Sequence, residues 1–188
     1  MPETTAIDRL YEESTAISKA LLATSEYSLQ VAAADHFRKA LLLAAASYFE
    51  HRVSGCVLDF VRERAGGSVL VESFVRNKAV ARQYHSWFEW EGNNANKFFS
   101  LFGSEFKLAM NKNIKESTTL GSAVRAFLEV GNERNKLVHQ DYATFAMEKT
   151  LDEIYQLYRD ALLFVERLPL ALRESDPQPA VPADRPQG

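Results

Sequence analysis

Read for spacing alone, the chain is a succession of apolar residues at three- and four-residue intervals, as expected of helices that each bury one face. Near the start, Ile7, Leu10, Ile17, Leu21 and Leu22 fall close to a helical period. A longer helix is predicted from about Leu29 to Ala65, with Leu41, Ala45, Phe49, Val53, Cys56 and Phe60 along its stripe, ended by Gly66 and Gly67. From "SVLVESFVRNKAV" onward Leu70, Phe74 and Ala81 keep the helical period, and no hairpin signal follows to favour strands. After an aromatic loop and a turn at Gly92, a helix capped by Asn93 or Asn94 takes its apolar face from Phe98, Leu101, Phe102, Phe106 and Leu108. The next is capped by Ser117 or Thr118 and turns Leu120, Val124, Phe127, Val130, Gly131, Leu137 and Val138 inward. The last begins near Met147, with Ile154, Leu157, Tyr158, Ala161, Leu162 and Val165 as its stripe. Proline, the strongest helix breaker, is absent between Pro2 and Pro169. The pattern predicts an all-α bundle of five or six helices over residues 1–172. Residues 173–188 hold four prolines and no aromatic, which predicts a disordered tail.

Composition narrows the chemistry. At 188 residues, 46% of them hydrophobic and 25% charged, the chain can bury one sizeable core in the ordinary soluble range. A net charge of −3 excludes the global basic field of a nucleic-acid coat protein, so any contact with an anion is local. Lys112, Lys115, Arg125 and Lys136 are the nearest basic supply, and a solvated helix face explains them as well as RNA does. Cys56 is the only cysteine, which excludes a disulfide framework; Val53, Val57 and Phe60 around it predict a buried thiol. The acidic N-terminus has no signal-peptide core, and no apolar run approaches the ~20 residues that span a bilayer. A reducing cytoplasm is the expected compartment. His36, His51 and His85 lack metal-ligand spacing, and neither a phosphate-cradling glycine loop nor a G-x-S-x-G elbow is present, so no metal or cofactor is expected. Tyr84, Trp87, Phe88 and Trp90 fit core or dimer contacts better than base stacking.

One residue breaks the pattern. Arg134 lies four positions after Val130 and three before Leu137, on the apolar stripe. A buried charge without a partner costs several kcal/mol, so a partner is required. Gly131, one turn earlier on the same side, leaves space beside the guanidinium, although a glycine inside a helix costs roughly 1 kcal/mol against alanine. His139 follows five residues after Arg134, roughly 140° around an undisturbed helix. The two converge only if the helix ends near Val138 or a second subunit completes the site. Two readings stand at this point. Arg134 pairs with a core carboxylate such as Glu50 and His139 complements the helix dipole, as architecture alone; or the pair meets an anion.

The segment "RNKLVH" resembles the R-x4-H motif of HEPN domains, in which a polar residue, often Asn, follows the Arg; here it is Asn135. "AAASYFEHRV" resembles the acidic second-helix segment of the RiboL-PSP type, and "WEGNNANKFFSLFGSEF" is similar to the Asn- and Phe-rich middle of that type. The resemblance covers roughly residues 5 to 170. It implies an all-α, usually homodimeric endoribonuclease that cleaves RNA without a metal, by attack of the 2′-OH to leave a 2′,3′-cyclic phosphate and a 5′-OH. His139 is then the general acid or base, Arg134 holds the phosphate, Asn135 orients the imidazole or the ribose, and Glu50 orients Arg134. A toxin or antiviral-defence role, with a neutralising or regulatory protein partner, is the implied setting. Toxin-type members carry a Tyr two residues after the motif His; Tyr142 stands three after His139, so that regulation does not carry over. A catalytically silent module binding a partner protein or nucleotide, and a plain helical scaffold, are the competing expectations.

Overall fold

In a computed structural model that describes residues 4–176, eight α-helices and one π-helical turn follow one another, and among the described residues no strand forms. They are α1 (Ala6–Ala23), α2 (Tyr27–Arg64), α3 (Val69–Val75), the π turn (Arg76–Val80), α4 (Tyr84–Trp87), α5 (Asn96–Ser100), α6 (Ser104–Glu116), α7 (Thr118–His139) and α8 (Leu151–Ser175). The chain is therefore all-α, as its periodicity predicts. The five helices of thirteen residues or more form the body, and the three short ones bridge α2 to α6.

The 38 residues of α2 span about 57 Å. Leu41, Ala45, Phe49 and Val53 are buried along it, while Cys56 and Phe60 are half-buried. Both α7 and α8 pack on this stripe and on each other. Between the three helices Phe127 is the hub: its ring lies 5.6 Å from Phe49, 5.1 Å from Phe164 and 5.0 Å from Phe88. Each such side chain contributes roughly 1.5–3 kcal/mol through burial.

Capping boxes start α1 and α8. Thr5 and Asp8 satisfy each other's amides, and Thr150 and Glu153 do the same. The first box also docks the two helices: the Tyr155 hydroxyl donates to Asp8 Oδ1 at 2.8 Å and the Tyr158 hydroxyl to Thr5 Oγ1 at 2.9 Å. Burial opposes the Asp8 charge, but the Thr5 amide, the Tyr155 and Thr5 hydroxyls and the Arg159 charge outweigh it and hold the carboxyl below its usual range.

Several expected faces are placed differently. Leu70, Phe74 and Ala81 lie exposed, and only Val75 and Val80 of that region turn toward the core. The helix expected after Gly92 is broken into α5 and α6 at Gly103, whose φ of 96° an L side chain rarely adopts. The break turns Leu101 and Leu108 to solvent, whereas Phe98 and Phe106 stay buried. The N-cap of α5 is Ala95, not Asn93 or Asn94, although Asn94 Oδ1 accepts the Asn96 amide at 3.1 Å from one position earlier. The last helix starts four residues later than its apolar pattern, at the Thr150 cap, and runs three residues beyond Leu172. There Arg173 Nε donates to Glu63 Oε2 at 2.9 Å and ties it to α2. The expected tail beyond residue 176 lies outside the described residues.

Candidate active site

Ser117 caps α7, accepting the Leu120 amide at 3.2 Å, and the helix runs unbroken to His139. Gln140 then becomes extended (φ −107°, ψ 171°). The helix therefore does not turn His139 back toward Arg134, and the two stay about 140° apart on the barrel. Arg134 and Asn135 are half-buried and His139 is exposed. The expected inward Val138 is exposed, whereas Leu137 is buried. Arg134 Nη1 donates to Asn135 Oδ1 at 3.2 Å, which places that amide as the orienting neighbour of the guanidinium.

Among the described residues Arg134 has no ion-pair partner, so the expected Glu50–Arg134 pair does not form. Glu50 Oε2 instead faces His85 Nε2 at 3.7 Å, with both side chains nearly half exposed. The reason is the path of α4. Arg82 adopts φ 62° at the end of the π turn and redirects the chain, so that α4 carries His85 to the polar side of α2. Burial and the Arg134 charge lower the His85 pKa; Glu50 opposes them and His139 adds to them. His85 thus lies within electrostatic reach of both Arg134 and His139, which the helix itself leaves apart. Next to it, burial and the Glu50 charge push the Tyr84 phenol upward, and it stays neutral.

Gly131 has a different job from the one its position suggests. A Cβ there would meet Trp90 Cε3 at 2.0 Å and Cζ3 at 2.1 Å. The space beside α7 is filled by the indole, not left for the guanidinium. Trp90 Nε1 in turn donates to the His85 carbonyl at 2.9 Å. The absent side chain of Gly131 therefore seats Trp90, and Trp90 fixes the backbone of His85. Tyr84, Trp87 and Phe88 are buried, as core reading of the aromatic loop requires.

The loop after His139 is tied to α2. Lys39, 2% exposed, pairs with Asp35 Oδ2 at 2.7 Å and donates to the Tyr142 carbonyl at 2.9 Å, with its ammonium 5.0 Å from the Tyr142 ring centre. Arg38 Nη1 donates to the Met147 carbonyl at 3.4 Å. The Lys39 bond is the main reason Asp35 stays below its usual range.

Of the basic residues nearest in sequence, Lys112 and Lys136 pair with Glu116 and Glu133 on their own helices, at 3.9 and 2.8 Å, and Arg125 donates to Ser122. They form solvated helix faces. Cys56 is half-buried; burial, reinforced by Asp59, pushes its thiol up to about 12, so no thiolate nucleophile forms there. No group of three or more His, Cys, Asp or Glu among the described residues is arranged to hold a metal ion, and no described helix is long and apolar enough to cross a membrane. A cleft of about 400 Å³ opens between α1, α2 and the start of α8, but none of Arg134, Asn135, His139 and Glu50 lines it.

One end of α7 thus offers a planar cation without a carboxylate partner among the described residues and the His139 imidazole, with His85 of α4 within electrostatic reach. The sequence singles out Arg134, Asn135 and His139; the structure adds His85, Trp90 and Lys39 as their neighbours or as ties of the following loop. The one available signal was Gly131, a glycine that the helix tolerates only for a close approach; its spacing does not say by what. No curated protein and no solved structure was found to match the chain. A family model described as RiboL-PSP-HEPN matches residues 8–174, nearly the whole chain, and the protein belongs to that HEPN family.

Proposed function

We propose that the protein is a metal-independent endoribonuclease, acting on RNA as a homodimer in a toxin or antiviral-defence setting. The observation that carries the reading is Arg134: a half-buried guanidinium held by Asn135 with no ion-pair partner among the described residues, on the same helix end as an exposed imidazole. A cation left unpaired within a folded surface is poised for an anion from outside, and its planar donors suit the two non-bridging oxygens of a phosphodiester. In the reaction the ribose 2′-OH loses its proton and attacks phosphorus, the P–O5′ bond breaks, and O5′ gains a proton. Arg134 stabilises the charge that builds on the phosphoryl oxygens. His139 transfers one of the two protons.

The test is cleavage of RNA in excess EDTA, with fragment ends analysed for 2′,3′-cyclic phosphate. His139→Ala is expected to fold like the parent and to lose about 10²- to 10⁴-fold in rate, the range of a general acid or base. Cleavage by His139→Ala at the parent rate sinks the reading. The silent binding module draws on one observation, that His139 makes no hydrogen bond to another described residue that would orient its ring. It predicts a chain harmless when expressed alone, with no cleavage and a co-purifying partner.

A further inference from the structure

A single imidazole makes one proton transfer at a time, and the cyclisation needs two. We propose that His85, carried by α4 rather than by the α7 motif, is the second proton-transfer group, with Glu50 as the positioning residue that orients its ring. The proposal rests on the ribonuclease reading above.

Its geometry is independent of that motif. Glu50 Oε2 faces His85 Nε2 at 3.7 Å, and among the described residues neither Glu50 nor His85 has another ion-pair partner. At 3.7 Å the carboxylate acts on the ring by charge rather than through a hydrogen bond, and that charge favours Nε2–H toward Glu50 with the lone pair on Nδ1. The backbone of His85 is held by the Trp90 indole at 2.9 Å, and that indole is seated against Gly131, one turn before Arg134. Side-chain exposure of 43% leaves the ring within reach of a polymer lying over the end of α7.

The groups facing His85 divide the labour. From α7 come Arg134 and His139, from α2 comes Glu50, and Tyr84 adjoins it on α4. Burial and the Arg134 charge favour the neutral ring, the form a base requires, and Glu50 restrains the shift. His85 Nδ1 therefore takes the 2′-OH proton as the O2′–P bond forms. His139 gives a proton to O5′ as the P–O5′ bond breaks, and water re-equilibrates both rings.

The experiment compares the full-length parent with His85→Gln, His85→Ala, Glu50→Gln and His139→Ala on an RNA substrate across pH 5 to 9. His85→Gln is expected to lose about 10²-fold or more and to abolish the acid limb of kcat/KM. Added imidazole is expected to restore part of the rate of His85→Ala, which a structural role would not allow. Because Glu50 raises the His85 pKa, Glu50→Gln moves the acid limb to lower pH. If the parent cleaves, His139→Ala is dead and His85→Gln matches the parent with its acid limb intact, the His85 proposal alone fails. If the parent cleaves nothing, the ribonuclease reading fails and takes the role of His85 with it. Titration of the His85 ring by NMR stands apart from turnover: Arg134→Ala is expected to raise its pKa, and an unmoved pKa overturns the juxtaposition.

Discussion

The two halves of α7 follow different rules. From Leu120 to Val130 the helix meets its neighbours with Leu120, Ala123, Val124, Phe127, Leu128 and Val130, all buried. From Gly131 to His139 only Gly131 and Leu137 are buried, and the remainder is polar or exposed. In the first half a side chain is chosen for the volume it fills. In the second it is chosen for what it leaves open: a guanidinium without a counter-charge among the described residues, an imidazole at the surface, and a missing Cβ that admits an indole. A packed helix face and an open polar one are thus built in series on one rod, and substitutions in the two halves are expected to fail in different ways.

The largest effect belongs to the first half. Phe127→Ala removes the ring shared by Phe49, Phe88 and Phe164 and is expected to cost about 3–5 kcal/mol in urea unfolding. A loss under about 1 kcal/mol would mean that this half is not the core of the bundle.

At the junction, Gly131→Ala pits two effects against each other. Helix propensity favours alanine by up to about 1 kcal/mol. A Cβ at 2.0 Å from Trp90 Cε3 requires the whole indole to move, and overpacking of that kind costs about 1–3 kcal/mol. The clash wins. The variant is expected to be less stable, with altered tryptophan fluorescence and slower RNA cleavage, because displacing Trp90 frees the His85 backbone. In a Trp90→Ala background the obstacle is gone, and Gly131→Ala becomes neutral or stabilising. The same penalty in both backgrounds would break the link from Gly131 through Trp90 to His85.

The two halves also differ in how far the sequence reveals them. Burial imposes a period, so the stripes of α2, α7 and α8 are legible, and so are the Ser117 cap and the misfit of Arg134. Periodicity marks a face without saying whether anything covers it: the α3 stripe of Leu70 and Phe74 has the right spacing and is exposed. Nor does it name partners from other elements. Trp90 reaches Gly131, His85 reaches Glu50 and Lys39 reaches Tyr142 across 41, 35 and 103 positions, and each contact depends on how α4 or the loop after α7 is placed. Arg134, Asn135 and His139 can be singled out as candidates because they share one helix and stand out from its pattern. Glu50 stands out in the sequence as a carboxylate, but its neighbour is His85 rather than Arg134, since the α4 segment that brings His85 to it is set by Arg82 and the π turn rather than by apolar spacing.

The smallest expected change in stability falls on Arg134, and it separates the two uses of the helix most sharply. As an architectural residue, Arg134 would anchor a buried carboxylate, and its loss would strand that charge at a cost of about 3–5 kcal/mol. Among the described residues its side-chain hydrogen bond goes only to Asn135, its immediate neighbour, which remains half exposed to water. Arg134→Ala is therefore expected to change unfolding free energy by less than about 1 kcal/mol, as substitutions outside a network do. Cleavage should fall at least as far as in His139→Ala, because the developing phosphoryl charge loses its preorganised donor. Arg134→Lys retains the charge but not the planar fork, so stability stays at the parent level while most of the activity remains lost. A melting temperature that drops sharply for Arg134→Ala and recovers for Arg134→Lys, with cleavage following stability in both, would return the second half of α7 to the same architectural role as the first.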